Sequence, residues 1–186
     1  MLTTGACHRS PLSTGTRAFN VNLFVHGPAR PDAARENAWL RVLTPFFAAF
    51  DAAPPANLRT IFKSFADDPD MLAMLLDMAP PVVSFHFGLP PAEALSALRA
   101  RGIYLMATAT NPWEARAIAA AGVDAIVAQG IEAGDHRGVF DPSAPDEALG
   151  TMVLTRLLMR QVSVRSSRPA GSWMGPALRL RSISAR

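Results

Sequence analysis

Val82–Gln129 reads VVSFHFGLPPAEALSALRARGIYLMATATNPWEARAIAAAGVDAIVAQ, and its alternation of short apolar runs with Ala-rich amphipathic runs decides the fold class. Strands are expected at Val82–Phe87, Ile103–Ala109 and Ala125–Gln129, with helices at Pro91–Ala100 and Pro112–Ala121. Pro91 and Pro112 stand where a first-turn proline loses no hydrogen bond, and Gly102 and Gly122 stand where each helix hands over to the next strand. Short apolar strands flanked by helices of this length imply parallel β-α-β units, with the strands covered on both faces. A unit of about twenty residues suits a β/α barrel and a doubly wound sheet equally, and spacing alone does not choose between them. No G-x-G-x-x-G or Walker-type loop follows these strands, which counts against a dinucleotide fold or a P-loop enzyme and leaves the barrel favoured.

Upstream, Phe19–Val25 (FNVNLFV) reads as another strand, with Asn20 and Asn22 sharing one face and a His26-Gly27-Pro28 turn behind it. Asp32–Phe50 places Trp39, Val42, Leu43, Phe46, Phe47 and Phe50 at helical spacing before Pro54 and Pro55 break the pattern. A second helix is expected at Pro69–Met78, where Met71, Met74, Leu75 and Met78 read as core packing rather than a thioether site. Asp67, Asp68 and Asp70 have no His or further acid at ligand spacing, so they read as a helix cap rather than a cation site.

The 186 residues are 49% hydrophobic and 18% charged, which excludes disorder and suits one well-buried domain. No apolar run approaches the roughly 18 residues of a membrane helix, so no membrane partner is expected. A lone cysteine, Cys7, excludes an internal disulfide and a cysteine metal cluster, and a cytoplasmic location is expected. The net charge of +3 suggests a nucleic-acid binder until the charges are located. Residues 1–150 hold eleven Lys and Arg against all fifteen acids, whereas residues 151–186 hold seven Arg and no acid. A nucleic-acid arm would interleave aromatics with its charge, and this tail has only Trp173, so no nucleic-acid partner is expected.

Parallel α/β proteins bind ligands at the carboxyl ends of their strands. Those ends present Asn22, then Ser84 and His86, then Thr108 and Thr110, then Gln129, where core packing alone would prefer Val, Ile and Leu. His86 precedes the Gly88–Pro90 loop, and its imidazole suits abstraction of a carbon-bound proton near neutral pH. Asn22 and Gln129 offer a donor and an acceptor each, fit for the edge of a heterocycle or for capping a loop. In Gly130–Gly138 (GIEAGDHRG) the glycines let backbone amides approach a ligand, with His136 and Arg137 able to face an anion or polar substrate.

Taken together, VNLFVH (21–26), VVSFHFG (82–88), ATATNPWEA (107–115) and GVDAIVAQGIEAGDHRG (122–138) resemble the nitronate monooxygenase family, formerly called 2-nitropropane dioxygenases, over Phe19 to about Ser163. The resemblance implies an FMN-binding TIM (β/α)8 barrel that oxidises alkyl nitronates with molecular oxygen, of which about strands 3 to 6 are present here. It implies that Asn22, Gln129 and Gly134 contact FMN, that His136 lies in a loop near the flavin, and that His86 is the catalytic base. Asp135 stands where the family pattern AGGHRG has its second glycine. Another FMN barrel oxidoreductase, such as a flavin-dependent enoyl reductase, or an inactive remnant are the alternatives.

The same resemblance sets the expected layout: a loose segment at 1–18, a partial barrel domain at 19–163 and a basic tail at 164–186. The family pattern has two strands ahead of VNLF and continues after about Ser163 into PVIAAGGIMDG, which helps hold the FMN phosphate. Codons for Arg165–Gly175 (RSSRPAGSWMG) can be chosen so that the neighbouring frame reads PVIAAGGIMDG. A frameshift near Val164 or Arg165 is therefore expected, with a chain that is unstable or inactive alone.

Overall fold

The structure, a computed structural model, describes residues 19–28, 30–134 and 136–162. The expected segment 1–18, the tail 164–186 and the substitution at Asp135 lie outside the described residues. The elements run β1 (Asn20–Phe24), α1 (Ala33–Ala48), a short 3-10 turn (Phe65–Asp67), α2 (Pro69–Met78), β2 (Val82–His86), α3 (Ala92–Ala100), β3 (Tyr104–Ala109), α4 (Pro112–Ala120), β4 (Ala125–Ala128) and α5 (Thr151–Gln161).

Local chemistry sets most of these boundaries. Asp32, Asp68 and Asn111 each cap a helix by accepting from the backbone N–H three residues on, at 3.0, 3.1 and 3.0 Å. Asp68 thus bears out the cap expected from the acidic run. Gly102 and Gly122 take φ values of +85° and +72° after α3 and α4, the left-handed conformation that lets the chain reverse into a strand. Asp124 knits β3 to β4 by accepting from Leu105 N at 2.9 Å while its own N–H donates to Leu105 O at 3.0 Å.

The four strands pair in the order β1-β2-β3-β4, all parallel, with Asn22 opposite Ser84 and Phe24 opposite His86. Side chains alternate across a strand, so Leu23, Val25, Val83, Phe85, Leu105, Ala107, Ala109 and Ile126 share one face. That face is buried with Leu75, Leu95, Leu98, Ala115, Ile118, Leu154 and Leu158 from α2 to α5. The opposite face carries Asn20, Asn22, Phe24, Ser84, His86, Met106, Thr108 and Val127, and is polar and partly open. A doubly wound sheet reverses its strand order at a switch point and covers both faces; a barrel winds one way, with its helices outside. The chain therefore forms four successive units of a TIM (β/α)8 barrel. The expectation that both faces are covered is corrected: the second face is the barrel lumen.

Two further corrections concern helices. In α2 only Leu75 is fully buried, and Met74 and Met78 are exposed, because the core-facing stripe rotates towards Leu72 and Leu76. Helix α5 was not expected; its N-terminus lacks a local side-chain cap, and Leu154 and Leu158 bury one turn apart against the sheet side of α4. Among the described residues no helix is long and apolar enough to cross a membrane.

Candidate functional site

At the carboxyl end of the lumen, four rings meet. Phe87 takes φ +71°, a conformation that costs a residue with a Cβ on the order of 1 kcal/mol. Its ring packs edge-on against Phe24 and His86 at centroid distances of 5.0 and 4.4 Å, and His136 stands 5.9 Å from both Phe24 and Phe87. His86 Nε2 lies 3.2 Å from the His136 carbonyl oxygen. A carbonyl only accepts, so this contact puts the proton on Nε2 and leaves Nδ1 as the basic nitrogen.

The loop that supplies that carbonyl is held by Gln129 just beyond β4. The Gln129 amide donates to His136 O at 2.8 Å and accepts from Gly138 N at 2.7 Å. A methyl group at Gly138 would sit 2.5 Å from His86 Cε1, so the imidazole lies directly against the glycine backbone. Arg137, expected to face an anion, is instead committed within the loop. It donates to Gln129 O at 2.6 Å and to both carboxylate oxygens of Asp146 at 2.7 and 2.9 Å. That pairing raises the Arg137 pKa and lowers that of Asp146 to about 2. Glu132 accepts from Thr151 N at 2.9 Å and from Thr151 Oγ1 at 3.0 Å, capping α5 from a distant loop. Hydrogen bonds from its own backbone and then from Thr151 hold its carboxyl below the usual range.

Asn22 lies mid-strand, one layer deeper than His86, rather than at a strand end. Its Oδ1 accepts from Ser84 Oγ at 2.8 Å, and Ser84 Oγ accepts from Asn20 Nδ2 at 2.8 Å. Beside it a cavity of about 240 Å³ is lined by Asn22, Phe24, His26, Phe62, Lys63 and Met71 among others. Gly134 sits on the exposed arm of the loop with nothing within 4 Å of where a Cβ would lie. The structure thus brings together His86, Gln129 and His136, places Asn22 one layer below, and leaves Gly134 at the open edge. No group of His, Cys, Asp and Glu able to hold a metal ion occurs among the described residues.

The family model described as nitronate monooxygenase matches residues 13–165, most of the chain. This chain belongs to the nitronate monooxygenase family. A nitronate monooxygenase of Paraburkholderia phytofirmans is 57% identical over 145 residues, covering 78% of this chain and 40% of that relative. One of Pseudomonas aeruginosa is 51% identical over 163 residues, covering 88% and 46%. A solved nitroalkane oxidase from Streptomyces ansochromogenes superposes with a TM-score of 0.65 at 35% identity, covering 80% of this chain and 42% of that structure. The chain therefore spans less than half the length of these relatives.

Phe24, Phe87 and Glu114, which the structure places against His86 or behind the loop that covers it, were not among the residues singled out from the sequence. The signal for Glu114 was present: Asn111-x-x-Glu114 is the spacing of a capping box. That motif ordinarily leaves its Glu at the surface, whereas here the side chain is buried. Nothing in a single sequence announces the left-handed turn at Phe87, which has no glycine to mark it.

Proposed function

We propose that this chain carries the lumenal half-site of an FMN-dependent enzyme that oxidises alkyl nitronates with molecular oxygen. FMN, when bound, supplies the redox chemistry by taking electrons from the nitronate and passing them to oxygen. The lumen suits a heterocycle: Ser84 engages Asn22 Oδ1 and leaves the Asn22 amide N–H groups on the open face, Gln129 keeps a second N–H, and the space over Gly134 is open. His136 borders the same volume.

The observation that carries the reading is the orientation of His86. With Nε2 donating to His136 O, Nδ1 is the nitrogen that can take the proton α to the nitro group when a neutral nitroalkane is the substrate. Preformed nitronate needs no such base. His86→Asn is therefore expected to lower nitroalkane oxidation by ~10²-fold or more while sparing nitronate oxidation, read as oxygen uptake by the FMN-loaded chain. The same pattern in His136→Asn instead would move the base to His136. A folded His86→Asn that loses nitronate and nitroalkane oxidation alike would overturn the proposal.

A further inference from the structure

Glu114 is 2% exposed, and the chemistry above does not use it. A buried carboxylate needs several donors to offset its lost hydration. Glu114 has three: Oε2 accepts from Thr110 N at 2.6 Å and Thr110 Oγ1 at 2.8 Å, and Oε1 accepts from Phe140 N at 2.9 Å. The first two bonds close the turn from β3 into α4, and the third reaches 26 residues along the chain to the loop beneath His86.

We propose that Glu114 is a positioning residue that anchors Phe140, and through it Gly138 and the His136 carbonyl, so that His86 is held as its Nε2–H tautomer. Between His136 and Phe140 the loop forms no helix or strand. Other hydrogen bonds in that stretch include those to Gln129, which is the root of the same loop, to Asp146 further along it, and to His86 itself. Glu114 ties the loop to a helix of the barrel. The edge-on packing of Trp113 against Phe140, at 6.4 Å between ring centroids, supports the same joint. Gly138 has no slack, because the imidazole already lies against its backbone, so a shift of Phe140 is passed to His86. The consequence for catalysis rests on the proposed role of His86, whereas the link from Glu114 to the imidazole does not.

The test is 15N NMR of the histidine side chains of the full chain, with His86 assigned by loss of its signals in His86→Asn. The unsubstituted chain should show the Nε2–H tautomer at His86. Glu114→Gln presents an NH2 group to donors that need an acceptor, and is expected to lose the single-tautomer signature at His86. Phe140→Pro removes the Phe140 N–H together with the ring packed on Trp113 and should do the same, whereas Phe140→Leu, which loses the ring and keeps the N–H, should leave His86 unmoved; the pair serves if Glu114→Gln does not fold. Thr110→Val removes one bond at the β3 end, leaves Phe140 tied, and should lower thermal stability with His86 unmoved. An Nδ1–H tautomer in the unsubstituted chain, or a folded Glu114→Gln with unchanged His86 signals, would overturn the proposal. Neither readout depends on nitronate oxidation.

Discussion

Asp146 grips the Arg137 guanidinium with both carboxylate oxygens, and that bond, reinforced by the Ala148 N–H, pulls its pKa from 3.8 to about 2. A carboxyl depressed in the fold is charged there at pH values where it is already protonated in the unfolded chain. Its contribution to stability is complete above 3.8 and disappears as pH falls through about 2. Asp146→Asn should therefore be less stable than the parent near neutral pH, with the gap closing over that window, as followed by urea unfolding at a series of pH values. A gap that stays constant down to the bottom of the window would show that the Asp146 charge is not what acts. At this scale the sequence was only partly informative. The loop containing Arg137 was legible as a candidate ligand loop, but the Asp146 that occupies the guanidinium is nine residues away across an irregular segment with no spacing rule.

Helices α1, α2 and α4 have their caps in the adjacent sequence, at Asp32, Asp68 and Asn111, while α3 starts after Pro91 with no side-chain cap. Helix α5 has its cap in Glu132, nineteen residues upstream, so the local signal that would have marked it is absent. The end of α2 shows a similar mismatch between local rule and structure: Ala79 takes φ +44° where glycine is the ordinary choice. Ala79→Gly removes that strain at the cost of a looser unfolded chain, and is expected to stabilise the protein by up to ~1 kcal/mol. A lowered thermal midpoint would show that the half-buried Ala79 methyl packs better than its backbone is strained.

Across the whole molecule, four barrel units leave the outer edges of β1 and β4 unpaired among the described residues. The lumen is half open, and Trp39, Phe46, Phe50, Ile61 and Phe62 are each more than half exposed. The helical face expected from Trp39 to Phe50 exists, but only Leu40 of α1 is buried, because no described element packs over the rest. Unpaired parallel edges beside exposed apolar surface favour association of copies. The chain is expected to associate with rising concentration in sedimentation experiments, and Val127→Lys, which sets a charge on the lumenal face of edge strand β4, should reduce this. A chain that stays monomeric throughout would refute the expectation.

What the sequence by itself determined was the succession of parallel β-α-β units and the identity of the polar residues among them. Those depend on local hydrophobic period, proline and glycine placement, and capping, all of which act within a few residues. The barrel that the motifs favoured is borne out by a strand order that winds in one direction, a property of the tertiary structure that spacing does not contain. Only the tertiary structure decided that His86 rests on Gly138 under a loop tied down by Glu114, because those contacts join segments 52 and 26 residues apart. Hydrogen-bond partners at such separations are chosen by packing and register, which no window of sequence contains.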